Sequence, residues 1–272
     1  MPQAALLLLS LIPASALLVQ PRSLLSTPVR AAPAAAARTA PIACAAAAGA
    51  ENTDFKQLLF IYPAATAAQF GLIASLFKAI DAVGPLPAFA VPTLFLFLSL
   101  RSRIFSLLPA SRPNRAEQDG KATPVEVKRP SWTPPGIAFP FIWSTISLLR
   151  ASSSLVVWRA TSRVLASPPL LVLVLHLCVG DTWNCITNVE RRQGTSALGV
   201  FAVLASVYAA VGVYFQTVPL AGKLLAPSAV WISIATVLTW SIWNLNGRQP
   251  LLPKADGKSV TLRLPLSDIL EN

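Results

Sequence analysis

The stretch RPSWTPPGIAFPFIW, residues 129–143, places four prolines and two tryptophans directly before and inside a long apolar run. Proline has no backbone N–H and fixes φ near about −65°, so a helix tolerates it best in its first turn. Pro134, Pro135 and Pro140 lie where such a helix would begin. We therefore predict a stiff loop followed by a helix, with the two tryptophans held in fixed positions.

The composition of the chain is that of a membrane protein. Of its 272 residues, 54% are hydrophobic and only 12% are charged, and the mean hydropathy is +0.60. These values differ strongly from those of ordinary soluble domains. The formal net charge of +11 is compatible with nucleic-acid binding, but the basic residues cluster at the ends of apolar segments and form no basic stripe with interleaved aromatics. We attribute the charge to membrane topology and expect no nucleic-acid partner.

Residues 1–52 differ in composition from the rest of the chain. They hold no acidic residue before Glu51 and are rich in Ala, Ser and Pro, as organelle targeting sequences are. Residues 4–18 have the length of the apolar core of a signal peptide, so a bipartite plastid address is one interpretation; a simple plastid or mitochondrial presequence is the other. We expect this segment to be removed. The compartment expected first is a plastid membrane, envelope or thylakoid, with a mitochondrial membrane as the alternative.

Six apolar windows follow the presequence. The first, residues 58–77, has 20 residues without a charge, enough to cross a hydrocarbon core of about 30 Å at about 1.5 Å per residue. The second, residues 84–100, spans only if Arg101 and Arg103 lie at the headgroups. The other windows are residues 136–158, 166–188, 197–219 and 224–246. Because strand-like alternation is absent, the windows predict an all-α polytopic membrane helical bundle.

The basic residues predict the orientation of this bundle. If the last five windows all span, thirteen basic residues fall on one side of the membrane and four on the other. Loops on the cytoplasmic side carry an excess of Lys and Arg. We therefore expect the loop 108–130 and the C-terminus on the cytosolic or stromal face. The four basic residues on the opposite side are Lys78, Arg159, Arg163 and Lys223.

Several motifs carry a family resemblance. They are KRPSWTPP at 128–135, FPFIW at 139–143 with Trp158 after it, VPLAGKLLAPSAVW at 218–231, and Trp243 with Asn246. Together they resemble the TspO/MBR family of translocator proteins and tryptophan-rich sensory proteins. The resemblance covers roughly residues 84–246 and implies a five-helix membrane domain. The remainder is then an extra N-terminal apolar helix within residues 53–83 and a polar tail, residues 247–272.

The resemblance also implies a pocket for a hydrophobic or amphipathic small molecule. Tetrapyrroles, meaning a porphyrin or haem, are the leading ligand class, and sterols or other lipids come second. The candidate ligand-binding residues are Trp132, Pro134, Trp143, Arg150, Asp181, Trp183, Trp231 and Trp240. Interfacial anchoring is the alternative for Trp132.

This chain departs from the family pattern at three of these positions. Asp181 stands where the family usually has Asn, and Trp183 is shifted by one residue. Trp240 replaces a Tyr of a proposed sterol motif, which is a weak pattern in any case. The departures indicate a divergent member and disfavour a sterol as the ligand.

Arg150 is the charge that most needs an explanation. It falls near the middle of the third window, where an unpaired charge costs about 2.5 kcal/mol or more. In the next, antiparallel helix, His176 lies closest to its level, and Asp181 lies roughly 7 to 8 Å further along the axis. One hypothesis is an Arg150–Asp181 ion pair that fixes helix packing. A second is that Arg150 binds a ligand carboxylate, such as a porphyrin propionate, while tryptophans stack on the ring. Proton movement through Asp181 and His176 is a third.

The sequence shows no hydrolytic or redox motif, no phosphate-binding Gly-rich loop and no metal-ligand spacing. Cys178 and Cys185 are seven residues apart and are expected to pack. No catalytic residue and no required cofactor are predicted. Three function classes stay open: a binding protein or carrier, an enzyme that modifies a tetrapyrrole, and a scaffold that has lost the pocket. The enzyme is the less favoured. The lipid bilayer, the ligand and a second copy in a homodimer are the expected partners.

Overall fold

The computed structural model describes residues 55–109, 127–252, 262, 263 and 265, with side chains from Leu59 onward. The predicted presequence, residues 1–52, lies outside these described residues, as does most of the predicted polar tail. Where the chain is described, it contains six α-helices and no strand. The predicted all-α bundle is confirmed.

The helices follow the predicted windows closely except at the second. They are α1 Phe55–Val83, α2 Ala90–Arg101, α3 Ala138–Ala160, α4 Pro168–Asn184, α5 Gln193–Thr217 and α6 Pro219–Leu245. A 3-10 turn, Ser102–Phe105, follows α2, and a π-helical turn, Cys185–Val189, extends α4. Helices α4 and α6 both begin with a proline, because the first turn of a helix needs no N–H there.

Five helical segments are long and apolar enough to cross a membrane. They are Leu59–Val83, Ala138–Ala160, Pro168–Val189, Gln193–Thr217 and Pro219–Leu245. Helix α2 is too short, because its 12 residues rise only about 18 Å. The second window therefore does not form a membrane-length helix, contrary to the prediction of six helical spans.

The chain around α2 nevertheless runs from one end of the bundle to the other. Leu86, before α2, lies beside Trp158 at the C-terminal end of α3. Leu108, after the 3-10 turn, packs with Tyr62 and Ile186 at the opposite end. The 3-10 turn and the residues after it thus supply the length that α2 lacks. The length that the sequence predicted for one helix at this window is therefore covered by a broken element.

Helix α1 completes a ring of helices. Neighbours around the ring are α1, α4, α5, α6, α3 and α2, and α1 meets α2 where the rings of Phe77 and Phe95 contact edge-on at 5.9 Å. Near its C-terminus, the carboxylate of Asp81 accepts the backbone N–H groups of Leu165 and Ala166, both at 2.8 Å. These contacts fix α1 as an integral helix of the bundle.

The proline and tryptophan loop is tied to the end of α6. The side-chain amide of Asn246 donates to the carbonyl of Lys128 at 2.8 Å, and the Lys128 N–H donates back to Asn246 Oδ1 at 3.0 Å. Within the loop, the Thr133 hydroxyl donates to the Pro130 carbonyl at 2.7 Å. Helix α3 then begins at Ala138. The predicted helix after the loop is confirmed, and that the loop is stiff stays a prediction that these hydrogen bonds favour.

Candidate functional site

Four helices enclose an apolar group of side chains, which we call the interior cluster. It includes Phe139, Trp143, Ile146, Trp183, Val203 and Trp231. Phe139 and Trp231 meet edge-on with ring centroids 5.9 Å apart, a favourable arrangement for aromatic pairs. Three of the tryptophans named as ligand-binding candidates, on α3, α4 and α6, are therefore brought into one group.

A polar layer borders the interior cluster. Residues three or four apart share one face of a helix. Arg150 therefore follows Trp143 and Ile146 along one face of α3, and His176 precedes Trp183 along one face of α4. Ser206 lies one turn beyond Val203 on α5. Cation, imidazole and hydroxyl thus lie one turn from Ile146, Val179 and Val203 of the interior cluster. The indoles of Trp143 and Trp183 lie about two turns away.

The three polar side chains form a chain of hydrogen bonds across α3, α4 and α5. Arg150 Nη2 lies 2.9 Å from His176 Nε2, and His176 Nδ1 lies 2.9 Å from Ser206 Oγ. A guanidinium has only donors, so His176 must accept at Nε2 and donate from Nδ1. The Ser206 hydroxyl in turn donates to the Val203 carbonyl at 2.9 Å. The imidazole in this arrangement is neutral and in one tautomer.

Arg150 is a buried cation without a direct ion pair among the described residues. Its side chain is 4% exposed, and no carboxylate of the described residues lies within 4.0 Å of its guanidinium. Its Nε is also buried, with no acceptor in the same part of the chain. Arg150 and Asp181 therefore do not form a direct ion pair, although Asp181 still attracts the guanidinium over a longer distance. His176 lies at the level of Arg150, as the helix geometry predicted.

Asp181 faces α1 instead. Gln69 donates one amide hydrogen to Asp181 Oδ2 at 2.8 Å and the other to the Ser102 carbonyl at 3.0 Å. Thr66 and Thr182 share a hydrogen bond of 2.7 Å, and the Tyr62 hydroxyl donates to a Glu190 carboxylate oxygen. These contacts form a polar seam between α1 and α4, defined by Tyr62, Thr66, Gln69, Asp181, Thr182 and Glu190.

The sequence analysis did not identify the residues that α1 contributes to the polar seam. A signal for them exists, because Tyr62, Thr66 and Gln69 recur at spacings of four and three residues in an otherwise apolar helix. Such spacing puts polar groups on one face. In a membrane helix, a polar face is expected to point at another helix.

The other candidate residues lie apart from the interior cluster. Trp132 in the loop is 47% exposed, and Pro134 next to it is half-buried. Trp240 packs instead against Phe201, at 5.6 Å between ring centroids, and against Trp243 at 5.0 Å. The eight candidates therefore do not form one site. The interior cluster with Arg150 beside it is the group that the structure assembles.

Two tryptophans of the cluster differ in how their polar edge is satisfied. Trp183 Nε1 donates to the Ser196 carbonyl at 3.0 Å. Trp231 Nε1 is buried and has no acceptor among the residues that the structure describes. An indole N–H without an acceptor, like the Arg150 Nε, is a donor that a ligand oxygen would satisfy.

Comparison with known proteins gives a consistent family match. The profile of the TspO/MBR family matches residues 107–244, which contain the loop and α3 to α6. Protein CrtK of Rhodobacter capsulatus is 30% identical over 127 residues, 46% of this chain and 79% of CrtK. The human translocator protein is 26% identical over 122 residues, which are 44% of this chain and 72% of that protein. The tryptophan-rich sensory protein of Cereibacter sphaeroides is 26% identical over 124 residues, with 46% and 77% covered. Helices α1 and α2 lie outside the range that the family profile matches.

Proposed function

Because this integral membrane protein belongs to the TspO/MBR family, we propose that its interior cluster binds an amphipathic small molecule bearing a carboxylate, with a tetrapyrrole as the leading class. The single observation that carries the proposal is the state of Arg150. The buried guanidinium is bonded to a neutral imidazole beside the interior cluster and has no carboxylate within 4.0 Å among the described residues. A ligand carboxylate would supply that anion.

Arg150 and the indoles of the interior cluster together fit a ligand with an apolar ring and a carboxylate. A guanidinium binds a carboxylate through two parallel N–H bonds, and the Arg150 Nε has no acceptor of its own. Indoles offer flat apolar faces that stack on a conjugated ring. A porphyrin carries both features, because its propionates lie at one edge of an apolar macrocycle. Sterols lack a carboxylate and so would leave Arg150 unpaired.

Binding in this proposal requires side chains to move. Arg150 is 4% exposed, whereas Trp143 and Trp183 are half-buried. In this proposal the indoles of Trp143 and Trp183 move aside to admit the ligand. The proline and tryptophan loop before α3 limits how far they move. Carrying a ligand between the membrane faces, or regulating its supply, would follow from the rate of that opening.

The test compares an acid with its ester. The full chain in detergent is titrated with protoporphyrin IX and, separately, with its dimethyl ester, while Trp fluorescence is followed. The variant is Arg150→Gln, whose side chain keeps an amide donor; the control is Arg101→Gln, an exposed arginine at the end of α2. We expect Arg150→Gln to weaken binding of the acid at least tenfold, about 1.4 kcal/mol, and to leave binding of the ester unchanged. Equal losses for acid and ester, or no loss, would refute carboxylate recognition.

A membrane scaffold is the second candidate, and the polar seam favours it. Asp181, where the family usually has an amide, is used to hold α1 and not to line the interior cluster. A scaffold would show no saturable quenching by either porphyrin and would co-purify with a partner. A tetrapyrrole-modifying enzyme would be indicated by a time-dependent change in the Soret band during the same titration.

We also propose that residues 1–52 direct the chain to an organelle, with a plastid envelope or thylakoid membrane as the first compartment. The support is the composition: no acidic residue precedes Glu51, and Ala, Ser and Pro dominate. Fusion of residues 1–52 to a fluorescent protein should localise it to plastids. A mitochondrial pattern would select the alternative, and a diffuse pattern would contradict organelle targeting.

A further inference from the structure

A cleft lies at the end of the bundle opposite to the proline and tryptophan loop, away from the interior cluster. Its volume is about 440 Å³, and it opens between the α1–α2 connection and the end of α3. The lining residues are Leu86, Pro87, Ala88, Trp158, Arg159 and Arg163. One wall is thus apolar, and the other carries two guanidinium groups, of which that of Arg163 lies over an indole.

The charge of this cleft is positive and not neutralised by its own lining. The Arg163 guanidinium stacks over the Trp158 ring, 5.9 Å from the centroid, and Arg159 is exposed. Asp81, near the C-terminus of α1, does not line the cleft and accepts the backbone N–H groups of Leu165 and Ala166. The lining therefore presents two cations and no acid.

The position of the two arginines is unexpected for topology alone. They belong to the four basic residues on the side of the membrane that carries the smaller positive charge. The orientation rule therefore does not account for basic residues on that side. Trp158, which also lines the cleft, is 1% exposed and supplies the ring on which Arg163 lies.

We propose that this cleft binds the headgroup phosphate of an anionic phospholipid. Guanidinium groups bind phosphate oxygens through charge-assisted hydrogen bonds. The apolar wall and the exposed side chains beside it, Val83 at 70% and Phe89 at 64% exposure, give the acyl chains a surface to lie on. A free phosphate ion would gain nothing from that apolar surface. The lipid is therefore the occupant, and this site is separate from the interior cluster.

The test measures lipid retention by native mass spectrometry of the full chain in detergent. Phosphatidylglycerol is the anionic probe and phosphatidylcholine the zwitterionic one. We expect the unaltered chain to retain phosphatidylglycerol at least fivefold more than phosphatidylcholine. Arg159→Gln and Arg163→Gln should each reduce this retention several-fold. The matched control is Lys223→Gln, an exposed cation on the same side that does not line the cleft, and it should leave retention unchanged.

Three results would overturn the proposal. Equal retention of the two lipids would show that the cleft does not recognise the charge of the headgroup. A loss of phosphatidylglycerol in Lys223→Gln equal to that in the arginine variants would show that general surface charge retains the lipid. Displacement of phosphatidylglycerol by millimolar glycerol phosphate would show an anion site that does not select a lipid. If Arg163→Gln fails to fold because the contact with Trp158 is lost, Arg159→Gln alone decides, since that side chain is exposed.

Discussion

Arg150 Nη2 and His176 Nε2 lie 2.9 Å apart between α3 and α4, and the imidazole is the acceptor. The pair therefore places a cation in the bundle interior without neutralising it. His176 Nδ1 in turn donates to Ser206 Oγ, so the orientation of the imidazole is fixed by α5 as well as by α3. The effect of a substitution at either residue then depends on whether the acceptor for Arg150 survives.

Two replacements of His176 distinguish the contribution of this hydrogen bond to stability from the contribution of the packing of the ring. His176→Leu leaves the buried guanidinium with no acceptor at Nη2, and a buried charged donor without a partner costs about 2 to 3 kcal/mol. His176→Gln restores a side-chain oxygen acceptor and should recover most of that loss. Thermal unfolding of the two variants in detergent checks this, and equal destabilisation by Leu and Gln would show that the ring contributes by packing alone.

The geometry of α4 explains which part of the site could be predicted from the sequence. Counting residues along antiparallel helices gave the level of His176 correctly, because the rise per residue is fixed. The partner of Asp181 was missed because five residues also turn the helix by about 140°. His176 therefore faces α3 while Asp181 faces α1. The position of a residue along the helix axis follows from the sequence of that helix alone. Which neighbouring helix its side chain faces depends on how the helices are arranged.

The sequence also predicted most of the fold, and α2 is the element that it did not predict correctly. Apolar windows locate membrane-length helices because the bilayer demands about 20 residues. The 84–100 window is apolar too, yet its helix begins at Ala90, after the GPLP of residues 84–87, and ends at Arg101. The remaining length is made by a 3-10 turn and the residues after it, which composition alone does not distinguish from a helix.

Asp181→Asn should leave the polar seam intact. Gln69 donates to Asp181 Oδ2, and an asparagine oxygen can accept the same hydrogen bond. We expect the free energy of unfolding to change by less than about 1 kcal/mol, because the lost charge also removes a desolvation cost. Asp181→Leu leaves the Gln69 donor without this acceptor and should destabilise by about 1 to 3 kcal/mol. Chemical denaturation in mixed micelles measures both, and a large loss in Asp181→Asn would show that the negative charge itself is required.

Gly222 is the glycine for which an alanine has no room in the α5–α6 corner. A Cβ built there would lie 2.2 Å from Phe215 Cγ and 2.7 Å from its Cα, so the backbone of α5 would have to shift. Overpacking of this kind costs about 1 to 3 kcal/mol. Gly212 on α5 is the matched control, because a Cβ there meets nothing within 4 Å. Gly222→Ala should lower the thermal midpoint, and Gly212→Ala should leave it unchanged or raise it. The same effect from both would mean that helix propensity dominates.

Asn246 is predicted to hold the proline and tryptophan loop against α6. Its side chain both donates to the Lys128 carbonyl and accepts from the Lys128 N–H. Asn246→Ala removes both bonds, each worth about 1 kcal/mol or less at an exposed position. We expect the Lys128 amide to exchange with deuterium at least fivefold faster, while the amides in the middle of α6 keep their protection.

The matched control for this loop is Asn244→Ala. Asn244 is an exposed residue of the same helix end, and its Oδ1 accepts from Arg248 Nε and not from the loop. Its replacement should leave the Lys128 amide as protected as before. The loop leads directly into α3, whose first turns place Phe139 and Trp143 in the interior cluster. Asn246→Ala should therefore also speed porphyrin association if the loop limits opening. Faster exchange at Lys128 without faster association would place the opening at the tryptophans themselves and not at the loop.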